Sequence, residues 1–394
     1  MTTIVKAASA AEFLSLVPRL LGFHASQSAV LVPFEGKRTL GALRVDLPAA
    51  DVDVDRFAAT LVGMVCRLPT ADGVALVAYA SGSAEGGLPH RSLADAVARR
   101  TASSGLRLVD ALCVADDGWG SYSDADVARP LTELGDAVPH GLERLPEPAD
   151  GLEDGLRLAE VDASEMADAE QAMAALERAV DVVCGPGDGD DRGSFGERRP
   201  GDERIDPRAL VASLLLDDLP QLYEDALEWD AEHIDPHEGA ALIWCLRRPA
   251  LRDIALVGWS GHVRDADEAL QAQLRWEQGA EYPAHLAMRM WGDGARPEPA
   301  RLIAALSVVR ALASRTRPRD RAPLLAMCGW LSWTLGRSTH AAHYADQARR
   351  IEPEHGLAEI VLSFVGAGHL PEWAFDRRPE SASHPPTPFD GAGG

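Results

Sequence analysis

The first 140 residues alternate between helix-type and strand-type spacing of apolar positions. Ser9-Ala10-Ala11-Glu12 has the serine–glutamate spacing of a reciprocal helix cap. The apolar positions behind it predict a helix from Ala10 to about Leu21, bent near Pro18 and stopped by Gly22. Two β-type runs, Ser28–Phe34 and Thr39–Leu47, flank Glu35-Gly36-Lys37-Arg38 and predict a hairpin. Asp51–Leu68 reads as a helix with Phe57, Leu61, Met64 and Leu68 on its buried face. Gly73–Ala80 is a continuous apolar run of the kind found inside a sheet. Leu93–Thr101 is a short helix and Leu106–Ala115 a further strand. After the turn Asp116-Asp117-Gly118, Trp119–Tyr122 is placed to pair back across that strand. This alternation predicts a layered α/β domain over residues 1–140, a mixed sheet with helices.

The pattern then changes. Residues 141–205 read as an acidic connector with one helix, Ser164–Val183, and a glycine-rich mobile loop at 185–201. From residue 206 to 376 the spacing is helical throughout. Asp206-Pro207 and Asp235-Pro236 each place a capping carboxylate before a proline suited to the first helical turn. Leu210, Leu214, Leu215, Leu219, Leu222 and Leu227 are the expected buried face of the first of these segments. Further helices are expected at about 266–278, 299–314, 323–335, 339–351 and 356–364, and a disordered tail at 377–394. Residues 322–355 set Gly329, Gly336, Ala341, Ala348 and Pro353 at the small-residue and proline positions of a helix–turn–helix unit. That unit resembles a tetratricopeptide repeat, and an ordinary helical hairpin in a compact bundle explains it equally well.

Charge sharpens the division. Of the net −23, the stretch Glu143–Glu238 carries 28 acidic and 8 basic residues, a balance of −20, which leaves −3 for the rest. Residues 296–350 run the other way, with 10 arginines against Glu298, Asp320 and Asp346. A chain this acidic repels nucleic acid and anionic membranes at long range, so neither is an expected partner. Apolar content of 46% supports a sizeable core, and no apolar run reaches the length of a membrane span. The amino-terminal residues lack the pattern of a secretory signal. Five scattered cysteines without a CxxC pair suggest reduced thiols and a cytoplasmic location.

Motifs for chemistry are sparse. The only lysines are Lys6 and Lys37, and neither belongs to a phosphate loop. Gly185-Pro186-Gly187-Asp188-Gly189 follows no strand, and Arg192 and Arg199 spoil the calcium-loop spacing that begins at Asp188. His233 and His237 stand among acids, yet Pro236 separates them and capping already accounts for Asp235 and Glu238. Gly258-Trp259-Ser260-Gly261-His262 has the composition of a nucleophile elbow but not its spacing. No catalytic residue, metal or cofactor is assigned, and binding is favoured over catalysis. Two groups of residues remain. His24 and Ser28 lie at a helix–strand junction, with Arg44 and Asp46 on one face of the following strand. They form either a capped helix end with an ion pair or a small polar pocket. Arg315, Arg317, Arg319 and Arg321 form a candidate anion patch or a solvated linker.

Several of these segments carry a family resemblance. Leu20–Ser28, the run Arg44-Val45-Asp46-Leu47-Pro48, the strand Asp110–Val114 with Gly118-Trp119 and Ser121-Tyr122, and the segments Pro323–Trp333 and Ala348–Leu362 resemble the family called domain of unknown function 4192. It is a group from high-GC bacteria, which suits the arginine-rich, lysine-poor composition. The resemblance implies no activity. Two functions are therefore expected as alternatives. One is a cytoplasmic protein that docks another protein through its carboxy-terminal helices. The other is a small-molecule or anion-binding α/β protein, a binder or an enzyme, with its site near Gly22–Ser28 and Arg44–Asp46.

Overall fold

A computed structural model describes residues 5–124, 127–184 and 205–375. The expected loop at 185–201 and the expected tail at 377–394 lie outside the described residues. The chain divides into two compact units. Of the described residues, one takes Ala7–Leu20, Ser26–Pro139 and Phe375; the other takes Val5, Lys6, Leu21–Ala25 and His140–Ala374.

The α/β unit opens with α1 (Ala10–Leu21), which buries Leu14, Leu16 and Val17. Glu12 N–H donates to Ser9 Oγ at 3.2 Å, and the Glu12 carboxylate accepts from the Ala8 N–H at 2.7 Å, one residue before the expected cap. β1 (Ser28–Glu35) is buried along its length except for Glu35. β2 (Arg38–Thr39) and β3 (Leu43–Asp46) both pair with β1 antiparallel, around a turn that Gly36 makes at φ 60°. α2 (Val54–Cys66) starts at Asp53, whose carboxylate accepts from the N–H groups of Asp55 and Arg56. Its buried stripe is Ala58, Leu61, Val62 and Val65. The face is thus rotated from the expected one: Phe57, Met64 and Leu68 lie at its half-buried rim. β4 (Gly73–Tyr79) is buried at every residue, as a continuous apolar run requires when both sheet faces are covered.

α3 (Arg91–Ser103) carries the chain from β4 to β5 (Arg107–Val114), the one parallel pair in the sheet. Parallel neighbours need such a crossover. β6 (Trp119–Ser121) returns antiparallel to β5, and α4 (Thr132–Asp136) follows. The six-stranded sheet has the order β2-β1-β4-β5-β6, with β3 beside β1. Ala29, Leu31, Val74, Leu76, Ala78, Ala111 and Cys113 share a core with α2 and α3 side chains.

The helical unit contains α5 (Leu152–Leu156), α6 (Ala163–Cys184), α7 (Pro207–Leu214), α8 (Leu219–Asp225), α9 (Pro236–Leu246), α10 (Pro249–Ser260), α11 (Val263–Glu277) and α12 (Ala284–Met290). It ends with α13 (Pro299–Ser314), α14 (Ala322–Thr334), α15 (Ser338–Ile351) and α16 (Gly356–Gly366). Asp206 and Asp235 cap α7 and α9 through the N–H groups of Arg208, His237 and Glu238. The expected buried face after Asp206 is corrected. α7 buries Ala209, Ala212 and Ser213, while Leu210 and Leu214 are exposed. A 3-10 turn at Leu215–Asp217 breaks the helix, so the leucine spacing does not run on one cylinder; Leu219 and Leu222 are buried on α8 instead.

α14 is the centre of this unit. All of its residues except Pro323 are buried. It packs on α13, α15 and α16, with α15 as the other arm of the hairpin. Gly329 permits the close approach to α15: a Cβ there would sit 3.2 Å from the Ala341 carbonyl oxygen. Gly336 ends the helix at φ 76°, with Arg337 N–H returning to the Ser332 carbonyl at 2.8 Å. In this unit the buried indoles of Trp259, Trp330, Trp333 and Trp373 donate to the carbonyls of Tyr223 at 2.8 Å, Met290 at 3.1 Å, His369 at 2.8 Å and Thr334 at 3.3 Å.

Candidate functional site

Ligands of open sheets settle outside the carboxyl ends of the parallel strands, where the loops diverge. Here those ends are Tyr79 of β4 and Val114 of β5. β1 begins at the same end, with Ser28 opposite Tyr79 on one side and opposite Asp46 of β3 on the other. Directly opposed residues share a face, so Asp46, Ser28 and Tyr79 form one row, with Arg44 a step behind on that face.

Ser28 is fully buried. Its hydroxyl donates to the Ser26 carbonyl at 2.6 Å and accepts from Arg44 Nε at 2.8 Å. An Arg44 Nη closes on Asp46 at 2.6 Å, the guanidinium 14% and the carboxylate 81% exposed. The structure therefore brings Ser28, Arg44 and Asp46 into one hydrogen-bonded chain. His24 belongs to the helical unit, where its backbone N–H donates to the Ala149 carbonyl at 3.0 Å and its side chain is exposed.

Beside this row the Tyr79 side chain is buried, and its hydroxyl has no partner among the described residues. Burial pushes the phenol well above its ordinary titration range. Gln27, just before β1, is held at φ 46°, and its amide donates to the Ser81 hydroxyl just after β4. The loop between β4 and α3 is pinned by the turn after β5. Gly82 N–H donates to Asp116 and Ala84 N–H to Asp117, each at 2.7 Å, and the Ser83 hydroxyl also donates to Asp117. The Ser83 hydroxyl first, then the Ala84 N–H, hold the Asp117 carboxyl below the usual carboxylate range. It is an ionised latch. Further on, the Tyr122 hydroxyl donates to the Pro89 carbonyl, and His90 opens α3 at φ 57° without a side-chain cap bond.

The hydroxyls of Ser28 and Ser83 are spent on structural acceptors, and burial raises the Cys113 thiol further from its reactive form. Among the described residues no cluster of histidine, cysteine and carboxylate side chains is arranged to hold a metal. His233 pairs with Asp230 at 2.8 Å and His237 with Asp206 at 3.3 Å, each on its own carboxylate. Ser260, in the sequence that mimics an elbow, ends α10 and donates back to the Leu256 carbonyl at 2.8 Å.

The four arginines of the candidate patch have separate partners. Arg315 holds the carbonyls of Ala231 and Glu232 at 3.2 and 2.7 Å, and Arg317 grips Glu170 with two nitrogens. Arg319 rests 3.7 Å from Asp320, and Arg321 donates to the carbonyls of Thr316 and Ser314 at 2.7 and 3.1 Å. Sequence reasoning did not single out Tyr79, Gln27 or His90. The Asp-Asp-Gly turn after β5 was the one legible signal, because short acids in a turn seek backbone N–H groups.

A mixed sheet whose parallel ends carry a pinned loop and a polar row, followed in the chain by a helical unit, defines a two-unit protein of the α/β-plus-α class. The chain belongs to the family domain of unknown function 4192, whose model matches residues 11–306. The match takes in the whole sheet and ends within α13, so α14, α15 and α16 lie beyond it. No curated protein and no solved structure matches the chain. No helix among the described residues is long and apolar enough to cross a membrane.

Proposed function

We propose that this is a cytoplasmic binding protein whose α/β unit holds a small polar ligand in the crevice outside the carboxyl ends of β4 and β5. One observation carries the reading. Gln27 and His90 are the two non-glycine residues with positive φ among the described residues, and both flank the end of β4. Left-handed backbone in such residues is costly and is retained where surrounding structure enforces it, most often at ligand sites. The partnerless Tyr79 hydroxyl at the same strand end supports it. Five unpaired thiols support a reducing compartment.

Docking of another protein on the helical unit is the weaker reading. Val182, Val183, Val211 and Leu214 on α6 and α7 are 59–64% exposed and favour it. The burial of α14 at every residue but Pro323 weighs against an apolar groove along that helix. The test is to purify the full chain under native conditions and identify retained small molecules by mass spectrometry, alongside Tyr79→Phe. The variant deletes only a hydroxyl that bonds nothing in the protein. Retention by wild type and loss in the variant supports the crevice; equal retention by both removes it.

A further inference from the structure

The helical unit gathers positive charge around the start of α15. Arg337 stands at the start of α15, and His340 and Tyr344 follow on the same side of that helix at spacings of three and seven. Helical side chains lean toward the amino terminus, so the Tyr344 ring runs back toward His340 and Arg337. Tyr344 is 1% exposed, and its hydroxyl has no partner among the described residues. Arg337 is exposed, caps nothing with its side chain, and pairs with no carboxylate among the described residues. Arg310 of α13 joins the group. Its Nη2 donates to the carbonyls of Gly155 and Arg157 at 3.3 and 2.9 Å, while its Nε and Nη1 make no hydrogen bond to described residues. The Phe23 ring meets the His340 ring edge-on at 5.4 Å.

The charges that act on His340 are Arg337, Arg310 and His343, all basic. Burial first, then these neighbours, push its imidazole down to about 4, so it is neutral at physiological pH. Glu153 of α5 and Asp346 act on His343, whose Nε2 contacts Gln347 at 2.6 Å. Arg337, His340 and Tyr344 on one side of α15 and Arg310 of α13 therefore lie within electrostatic reach of one another, with no carboxylate acting on His340. The amino terminus of α15, which has no side-chain cap bond, adds its own backbone N–H groups.

We infer that Arg310, Arg337, His340 and Tyr344 form a binding site for a tetrahedral oxyanion, a phosphate or phosphomonoester group. Two fixed positive charges match a dianion, guanidinium forks fit phosphate oxygens, and the phenol O–H supplies a further donor. The ligand supplies what the protein lacks there, an acceptor for the Tyr344 hydroxyl and a counter-charge for both arginines.

Isothermal titration of the full chain in phosphate-free buffer, with inorganic phosphate and separately with glycerol 3-phosphate, tests the site. Wild type is expected to show saturable binding, and Tyr344→Phe and Arg337→Gln each to weaken it by about tenfold without lowering the melting temperature. Tighter binding of inorganic phosphate identifies the free ion as the ligand, and tighter binding of glycerol 3-phosphate identifies an esterified phosphate. Absence of saturable binding of either probe overturns the inference. So does binding that neither variant alters, because a merely structural tyrosine loses no interaction on becoming phenylalanine.

Discussion

Glycine at position 90 should stabilise the protein, and alanine should destabilise it. His90 sits at φ 57° and ψ 29°, in the left-handed region. That backbone costs an L-residue about 1–2 kcal/mol, less for the few polar types that tolerate it. Glycine removes the cost but loosens the unfolded chain by about 0.5–1 kcal/mol. The His90 imidazole makes no cap bond, and the His90 carbonyl, which accepts from Leu93 and Ala94 at 3.0 and 3.2 Å, survives either change. The net expectation is a gain of about 0.5 kcal/mol for His90→Gly and a loss of about the same for His90→Ala. The difference of about 1 kcal/mol corresponds to roughly 2–4 °C in melting temperature for a unit of this size. Scanning calorimetry of both variants reads it directly. An alanine variant as stable as the glycine variant would refute the claim that strain is stored at this loop, and with it the main support for the crevice. His90→Gly should also lower ligand retention, because the loop it relaxes is the one pinned over the strand ends.

Three further outcomes follow from the packing and charge. Arg301 grips Glu224 with two contacts of 2.6 Å and, as the first cause, holds its carboxyl below the usual range. That contribution is present above about pH 4.3 and is lost as the pH falls through the lower folded value, so Glu224→Gln should cost about 2 kcal/mol at neutral pH in urea titrations and flatten the acid limb. Gly258→Ala would place a Cβ 2.7 Å from that of Ala266, forcing α10 and α11 apart; a loss of about 1–2 kcal/mol is expected, recovered in part by Ala266→Gly in a double-mutant cycle. His340 titrates near 4 when folded and near 6.5 when unfolded, so the unfolded chain binds a proton that the folded chain does not. Stability should therefore fall by up to about 3 kcal/mol between pH 6.5 and 4 in phosphate-free buffer, and His340→Phe should remove that slope while Arg310, Arg337 and His343 remain.

The elements whose ends carry local chemistry were legible in the sequence. Ser9 with Glu12, Asp206-Pro207 and Asp235-Pro236 start helices where their side chains satisfy the first N–H groups, and β4 is as buried as its apolar run demands. The faces were less legible. A rotation of one residue moved the α2 stripe onto Ala58 and Val62, since alanine fills a tight helix–sheet contact that Phe57 cannot enter. α10 and α12 were not anticipated, because α10 buries residues all round its last turns and offers no amphipathic period there. At the candidate site, the link of Arg44 with Asp46 was readable from strand alternation. Tyr79, Gln27 and His90 were not, because neither a partnerless buried hydroxyl nor a left-handed residue leaves a spacing in the sequence. The cluster at Arg310, Arg337 and Tyr344 depends on which helices meet, which no local pattern records.

The central claim concerns where a ligand sits, so amide hydrogen exchange of the full chain is the most direct measurement. The chain is compared with and without a mixture of small polar metabolites. Protection gained in the loop between β4 and α3 and in the turn after β5, and not on α7, is the predicted result. Protection confined to the helical unit, or none, would contradict the placement of the site at the end of the sheet.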